Sequence, residues 1–122
     1  MTVHACVWID ETKAEIIELA RRGIGRRQAF EKDYVSANAS RRHTHGPAEN
    51  RLLDAVAHGL EGVDAILILG PGTMRTVLQH HLEQHFPRIA ANVWDNRPMG
   101  QASEAEIIAV AQDYFRAADR MH

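Results

Sequence analysis

The chain has 122 residues, of which 45% are hydrophobic and 25% charged, and its formal net charge is −2. This composition is typical of a soluble globular protein with one core. The apolar runs are too short to cross a bilayer, so we predict no membrane partner. The first residues lack the basic and apolar segments of a signal peptide, and the single cysteine, Cys6, cannot form an internal disulfide. We therefore expect one cytoplasmic domain over residues 1–122.

The first part of the chain predicts three antiparallel strands. Residues 3–9 and 14–20 are apolar runs joined by a short polar link, which is typical of a β-hairpin. Two glycines in the segment 21–27 predict the next turn. The more polar segment 28–35 predicts a third strand near an edge of the sheet. The segment 36–48 has no apolar periodicity and predicts a long loop, of a kind that often carries function.

The rest of the chain alternates helices with strands. Apolar spacing predicts three helices and two strands, over residues 49–60, 73–86 and 103 onward and over residues 64–69 and 89–94. Ser103 and Glu106 have the spacing of a capping box at the start of the last helix. The order β-β-β-α-β-α-β-α predicts an α/β protein with a ribonuclease-H-like fold, a mixed five-stranded sheet ordered 3-2-1-4-5 and three helices.

An apolar strand in the middle of the chain ends in Gly-Pro-Gly and leads directly into a helix. The run 65–69 is typical of a strand buried on both faces, and Thr73 is well placed to cap the helix. Gly70, Gly72 and Thr73 could bind an anion through the free N–H groups of that helix. The turn lacks the Lys-Ser/Thr pair of a Walker loop and the spacing of a dinucleotide fingerprint. A purely structural tight turn is therefore the favoured interpretation.

Basic side chains are concentrated in residues 21–51. This segment carries eight basic and three acidic side chains, a net charge of +5 against −7 elsewhere. The eight are Arg21, Arg22, Arg26, Arg27, Lys32, Arg41, Arg42 and Arg51. Such charge separation can direct one face of a protein toward a polyanion such as RNA. Solvated charged loops explain the same pattern equally well.

Two carboxylates and two histidines are candidates for metal chemistry. Asp10 and Glu49 lie near the places where nucleases of this topology hold Mg²⁺. Such a site needs three or four carboxylates, and strand four ends without one. His81 and His85 share a helix face at a spacing that can bind zinc, but no Glu or Cys completes that site either. We therefore predict no metal and no cofactor, and Asp10 and Glu49 remain candidates for a catalytic pair.

Three segments in chain order resemble a known family: residues 7–16, 66–73 and 103–115. They are similar to the middle domain of archaeal and eukaryotic peptide-chain release factors and of Pelota, and the whole chain resembles the small bacterial proteins called translational machinery proteins. The resemblance implies a ribonuclease-H-like fold and a role at the ribosome. The Gly-Gly-Gln motif with which release factors promote peptidyl-tRNA hydrolysis is missing from the matching loop, residues 36–47. Pelota-type domains also lack the motif and act by binding.

Our first hypothesis is a non-catalytic RNA- or ribosome-associated domain linked to translation. Its contact surface would contain Arg41, Arg42, His43, His45 and Arg51, and a second patch would contain Arg21, Arg22, Arg26 and Arg27. The first alternative is a hydrolase. It would act on a phosphodiester through the carboxylate pair, or on a peptidyl- or aminoacyl-tRNA ester with histidines as general bases. The second alternative is a protein-interaction module or homodimer, formed through strand three or the region of Trp94.

Overall fold

Five strands form one mixed sheet in the order β3-β2-β1-β4-β5. The computed structural model describes residues 2–20, 24–32 and 45–121. The strands are β1 His4–Ile9, β2 Lys13–Leu19, β3 Ile24–Glu31, β4 Ala65–Gly70 and β5 Val93–Pro98. Strands β1, β2 and β3 pair antiparallel, whereas β4 pairs parallel with both β1 and β5. This ribonuclease-H-like arrangement and its strand order confirm the prediction from the order of elements.

Helices cover both faces of the sheet. They are α1 His45–Gly59, α2 Met74–His85, the one-turn α3 Pro87–Ala90 and α4 Glu104–Met121. Apolar residues of α1 and α2 pack on one face, and those of α4 pack on the other. No helix in the described ranges is long and apolar enough to span a membrane.

The central strand β4 is buried along its whole length. Ile66 and Ile68 pack against α1 and α2, whereas Leu67 and Leu69 pack against α4, because successive side chains of a strand point to opposite faces. This two-sided burial explains the continuous apolar run of the sequence. Cys6 is also fully buried, and burial raises the pKa of its thiol to about 12, so it is a core residue.

Strand β3 begins earlier than its sequence pattern indicates. We expected it to start at residue 28, but it begins at Ile24. Its pairing with β2 extends to Leu19, with a register shift between Ile17 and Leu19. Backbone pairing with β2 therefore outweighs the turn preference of Gly25. As a consequence, Arg26 and Arg27 lie within the strand and not in the preceding turn, which corrects the prediction for those two residues.

Helix α1 also begins four residues before its predicted start at residue 49. It starts at His45, although the buried stripe begins only at Leu52. Pro47 is compatible with this position because the first turn of a helix has no intrahelical acceptor for its N–H groups. The last residues of the predicted loop 36–48, from His45 onward, therefore belong to α1. Residues 33–44 lie outside the described part of the chain.

The last strand lies further along the chain than predicted. We expected a strand over residues 89–94, but Pro87 begins the short helix α3, and β5 runs from Val93 to Pro98. Proline suits the first position of a helix. Asn92 then fixes the start of β5, because its carbonyl accepts from the Ile66 N–H at 2.9 Å and its side chain donates to the Val63 carbonyl at 3.1 Å. A polar strand is accommodated here because β5 is an edge strand.

The capping box at the start of α4 is present as predicted. The Ser103 hydroxyl accepts from the Glu106 N–H at 3.2 Å, and the Glu106 carboxylate accepts from the Ser103 N–H at 3.1 Å. Hydrogen bonds from the Ser103 backbone and side chain hold the pKa of Glu106 below its usual value. These bonds fix the point at which α4 begins to cover the sheet.

We expect Ser103→Ala to lower the free energy of unfolding by about 1 kcal/mol, because α4 loses the acceptor for one of its first N–H groups. Urea denaturation followed by circular dichroism measures the change. Ser103→Asp is the control, since aspartate also caps helices and should retain most of the stability. Equal loss of stability in the two variants would contradict a capping role.

Candidate functional site

The topology brings Asp10, the Gly-Pro-Gly turn and the start of α1 toward one edge of the sheet, where β1 ends at Ile9, β4 at Gly70 and β5 at Pro98. We call this the C-terminal edge. Strand β3 ends there as well, because its last residue, Glu31, pairs with Lys13 at the start of β2. Helix α1 runs back from this edge, and the chain just beyond it bonds to the start of β1, where Asp64 N–H donates to the Val3 carbonyl at 2.9 Å. Open α/β sheets tend to bind ligands at this edge.

Asp10 follows β1 and organises the hairpin between β1 and β2. Its Oδ1 accepts hydrogen bonds from the Thr12 N–H at 2.8 Å, the Thr12 hydroxyl at 3.1 Å and the Lys13 N–H at 2.9 Å. Its Oδ2 accepts from the Gln101 amide at 3.3 Å. Partial burial acts to raise the pKa of Asp10, but the hydrogen bonds from the Thr12 and Lys13 N–H groups outweigh it, so the pKa is lowered. The carboxylate is therefore charged and already committed to donors of its own chain.

The carboxylate pair proposed for a hydrolase is not assembled into a metal centre in the described residues. Glu49 lies in the first turns of α1 and is half-buried. Across residues 2–20, 24–32 and 45–121, no three His, Cys, Asp or Glu side chains form a group that could hold a metal ion. A catalytic role for Asp10 and Glu49 stays a prediction without further support from the geometry.

The structure explains why each of the two outer positions of the Gly-Pro-Gly turn is glycine. Gly70 has a φ angle of +152°, and a Cβ atom there would overlap the carbonyl oxygen of Ile9. Its own carbonyl accepts from the Met99 N–H at 2.9 Å. Gly72 has a φ angle of +63° and open space around it. Close approach of β4 to β1 thus requires the first glycine, and the backbone conformation of the turn favours the second.

Thr73 occupies the cap position of α2, but its hydroxyl makes no capping hydrogen bond. Its carbonyl accepts from the N–H groups of Thr76 and Val77, both at 3.0 Å. The expected threonine cap is therefore a backbone cap only. Anion binding by Gly70, Gly72 and Thr73 stays a prediction.

The basic residues in the described ranges differ in what they contact. The Arg27 guanidinium lies 2.8 Å from the Glu104 carboxylate at the start of α4, an exposed ion pair of a kind worth about 1 kcal/mol or less. Arg26, the preceding residue of β3, is exposed. Arg51 is exposed near the start of α1. Neither Arg26 nor Arg51 forms an ion pair within the described residues.

Several predicted RNA contacts cannot be placed. Arg21, Arg22, Arg41, Arg42 and His43 lie outside the described residues, and so does the side chain of His45. Of the whole predicted surface, the structure thus places the side chains of Arg26, Arg27 and Arg51, and it does not bring these three together. Within the second patch, Arg27 is paired with Glu104, whereas Arg26 forms no ion pair with the described residues.

His81 and His85 contact each other within α2, and His81 also contacts α1. Their ring centroids are 4.8 Å apart, and His81 Nε2 lies 2.7 Å from the Asp54 carboxylate on α1. His81 is largely buried, with 11% of its side chain exposed, so this contact joins α1 to α2. Sequence spacing identified the histidine pair but not Asp54, because the partner lies on another helix.

A polar groove between α2 and β5 was not anticipated. Its cavity volume is about 310 Å³, and its lining residues are Arg75, Thr76, Gln79, His80, Glu83 and Asn96. Five of these residues share one flank of α2 at helical spacing, a pattern that was visible in the sequence. The sixth, Asn96, belongs to the strand whose position was predicted wrongly.

Three solved structures are similar to this chain in fold. Pelota from Archaeoglobus fulgidus matches 91% of the chain with a TM-score of 0.68 and 15% identity, and the match covers 31% of that protein. Pelota from Thermoplasma acidophilum matches 87% of the chain and 30% of its own length, with a TM-score of 0.63 and 20% identity. Dom34 from S. cerevisiae matches 94% of the chain and 33% of its own length, with a TM-score of 0.63 and 12% identity. It is described as a translation termination-like factor involved in RNA quality control pathways and interacting with Hbs1.

These similarities concern the fold. The chain spans about a third of the length of each of these three structures. No protein-family model matches the sequence, and no curated protein matches it either.

Proposed function

We propose that this protein is a non-catalytic RNA- or ribosome-binding domain that acts in translation. The observation that carries the proposal is the likeness in fold, over 87–94% of the chain, to two Pelota proteins and Dom34. Dom34 is described as a factor of translation termination type that acts in RNA quality control. Because fold alone does not establish function, the charge distribution and the chemistry at the C-terminal edge supply the further arguments.

The charge distribution supports contact with RNA at the C-terminal edge. The connection from β3 to α1 carries Arg41 and Arg42, and Arg51 stands exposed near the start of α1. Arg51 forms no ion pair with the described residues, and arginines are suited to RNA phosphates, with each such contact making binding weaker as salt rises. Arg27 contributes less in this proposal, because Glu104 already neutralises it.

The hydrogen bonds that Asp10 accepts favour a binding function over a hydrolytic one. Its two oxygens accept four hydrogen bonds within the chain, so a substrate or a metal ion would compete with the hairpin for them. The Gly-Gly-Gln sequence of release factors is also missing from the chain. Both observations favour a domain that docks on RNA without cleaving an ester.

The test is co-sedimentation of the purified protein with ribosomes and their separated subunits across a salt series. We expect the double variant Arg41→Ala/Arg42→Ala to bind about tenfold more weakly at low salt. We also expect its slope of log affinity against log salt to be smaller by about 2, since two phosphate contacts are removed. The matched control is Arg88→Ala/Arg116→Ala, which removes the same charge. Arg88 lies on α3, and Arg116 pairs with Asp113 on α4.

The two variants separate specific from general electrostatic binding. Strong binding by the control and weak binding by the loop variant would support the proposed surface. Equal weakening in both variants would contradict it, because overall charge would then account for binding. Absence of binding by the unmodified protein at low salt would contradict the ribosome proposal itself.

A further inference from the structure

The groove between α2 and β5 is a second candidate binding site, and it is lined by polar side chains. It lies on the flank of α2 away from α1, because His81 on the other flank contacts Asp54 of α1. The groove begins at Arg75, close to the C-terminal edge, and extends two helical turns to Glu83, about 12 Å away along the helix.

The side-chain amide of Asn96 organises the groove. Its Oδ1 accepts from Arg75 Nη1 at 2.9 Å, and its Nδ2 donates to the Arg75 carbonyl at 3.0 Å and to Gln79 Oε1 at 2.7 Å. The oxygen of the Gln79 amide is therefore occupied, and its NH₂ group is the part left to donate. Arg75 and Gln79 are both held in place before any ligand arrives, which lowers the entropic cost of binding one.

The two ends of the groove differ in charge and in hydrogen-bonding character. The Arg75 guanidinium forms no ion pair with the described residues, and its Nε is buried without an acceptor among them. A half-buried guanidinium that has neither an ion-pair partner nor an acceptor for its Nε favours an anionic ligand. Gln79 NH₂ and the Thr76 hydroxyl add donors at the same end. At the other end, the Glu83 carboxylate is 55% exposed and lies 3.8 Å from His80 Nδ1, and it can accept a hydrogen bond from a hydroxyl.

From this arrangement we infer that the groove binds one nucleotide unit of RNA. Its phosphate contacts Arg75 and Gln79, and its ribose hydroxyl donates to Glu83. A phosphate with a hydroxyl-bearing sugar matches the donor-rich and acceptor-rich ends, and a volume of about 310 Å³ suits a ligand of that size. Both groups are accessible in a single strand, so a single-stranded oligonucleotide is the probe. The inference rests on the proposed RNA-binding function and adds a second contact to it.

The sharpest test is Gln79→Glu. Glutamate keeps the oxygen that accepts from Asn96, so the fold should be retained, but it replaces the donor NH₂ with a second negative oxygen facing the phosphate. Binding of a fluorescent oligouridylate, measured by anisotropy, should weaken at least tenfold. Arg75→Ala should also weaken binding about tenfold. The matched control is Gln112→Glu on α4, which makes the same charge change on the other face of the sheet.

Glu83→Gln tests the sugar contact. The unmodified protein should prefer oligouridylate to oligodeoxyuridylate, and Glu83→Gln should reduce that preference by weakening the binding of oligouridylate, because a neutral amide accepts a hydrogen bond from the ribose hydroxyl less strongly than a carboxylate does. A preference that is unchanged by Glu83→Gln would overturn the assignment of the hydroxyl to Glu83.

The outcomes show whether the groove proposal fails, the ribosome proposal fails, or both do. Equal affinities of Gln79→Glu and Gln112→Glu for oligouridylate would overturn the groove, even if ribosome binding depends on Arg41 and Arg42 as proposed. Loss of oligouridylate binding in Gln79→Glu alone would support the groove, even if the protein fails to sediment with ribosomes. Circular dichroism of each variant confirms that the fold is intact.

Discussion

Gly70→Ala is expected to lower the free energy of unfolding by about 3 kcal/mol or more. Gly70 ends β4 with a φ angle of +152°, a conformation that alanine rarely adopts. Its Cβ would also overlap the carbonyl oxygen of Ile9, an atom of the neighbouring strand that cannot move without disturbing the sheet. Chemical denaturation of the variant, or loss of folded protein on expression, measures the effect.

Two other glycines provide graded controls for this prediction. Gly72→Ala should cost about 1 kcal/mol, since Gly72 has a positive φ angle but open space around it. Gly100→Ala should be close to neutral, because an added Cβ there meets no atom within 4 Å. If Gly70→Ala were no worse than Gly72→Ala, the close approach of β4 to β1 would not be the reason for the glycine.

Asp10→Ala is expected to lower the free energy of unfolding by about 2 kcal/mol, because three hydrogen bonds within the hairpin lose a charged acceptor. Asp10→Asn should cost much less, since the Asn carbonyl oxygen can still accept from the Thr12 and Lys13 N–H groups. Urea denaturation at neutral pH compares the two variants. Similar losses in both would show that charge, and not the geometry of the turn, is what Asp10 contributes.

The same residue predicts a dependence of stability on pH. The pKa of Asp10 is lower in the folded protein than its ordinary value of 3.8. The unfolded chain therefore takes up a proton first, and the stabilisation is fully present above pH 3.8 and lost as pH falls through the folded value. Asp10→Asn should show a smaller loss of stability in this acid range than the unmodified protein. An identical acid dependence would contradict the assigned role of the carboxylate.

Asp10→Asn also bears on the hydrolase alternative. Because the variant should remain folded, any hydrolysis of RNA or of a tRNA ester by the unmodified protein can be compared directly with the variant. Metal-stimulated turnover that disappears in Asp10→Asn would contradict the proposal of a non-catalytic domain. Turnover absent from both proteins, together with salt-sensitive RNA binding, would agree with it.

The candidate site was only partly accessible from the sequence. The basic residues, Asp10 and the Gly-Pro-Gly turn could be identified from composition and spacing. The groove of Arg75 and Asn96 could not, because its two walls lie 21 residues apart and the position of β5 had been predicted wrongly. The same reason applies to Arg27 and Glu104, whose ion pair joins the first half of the chain to the last helix.

The fold class, the strand order and the capping box could be predicted from the order of the residues alone. These follow from local signals: the two-sided apolar run of β4, helical apolar spacing, and the Ser103–Glu106 pair, combined with the few ways in which strands and crossovers connect. Three features depend instead on contacts that form in the folded protein: where β3 and β5 begin, that Arg27 is neutralised by Glu104, and which polar side chains share a groove. Edge strands are polar on their exposed side, so their limits depend on backbone pairing with a neighbour, and contacts between distant segments exist only once the sheet has brought them together.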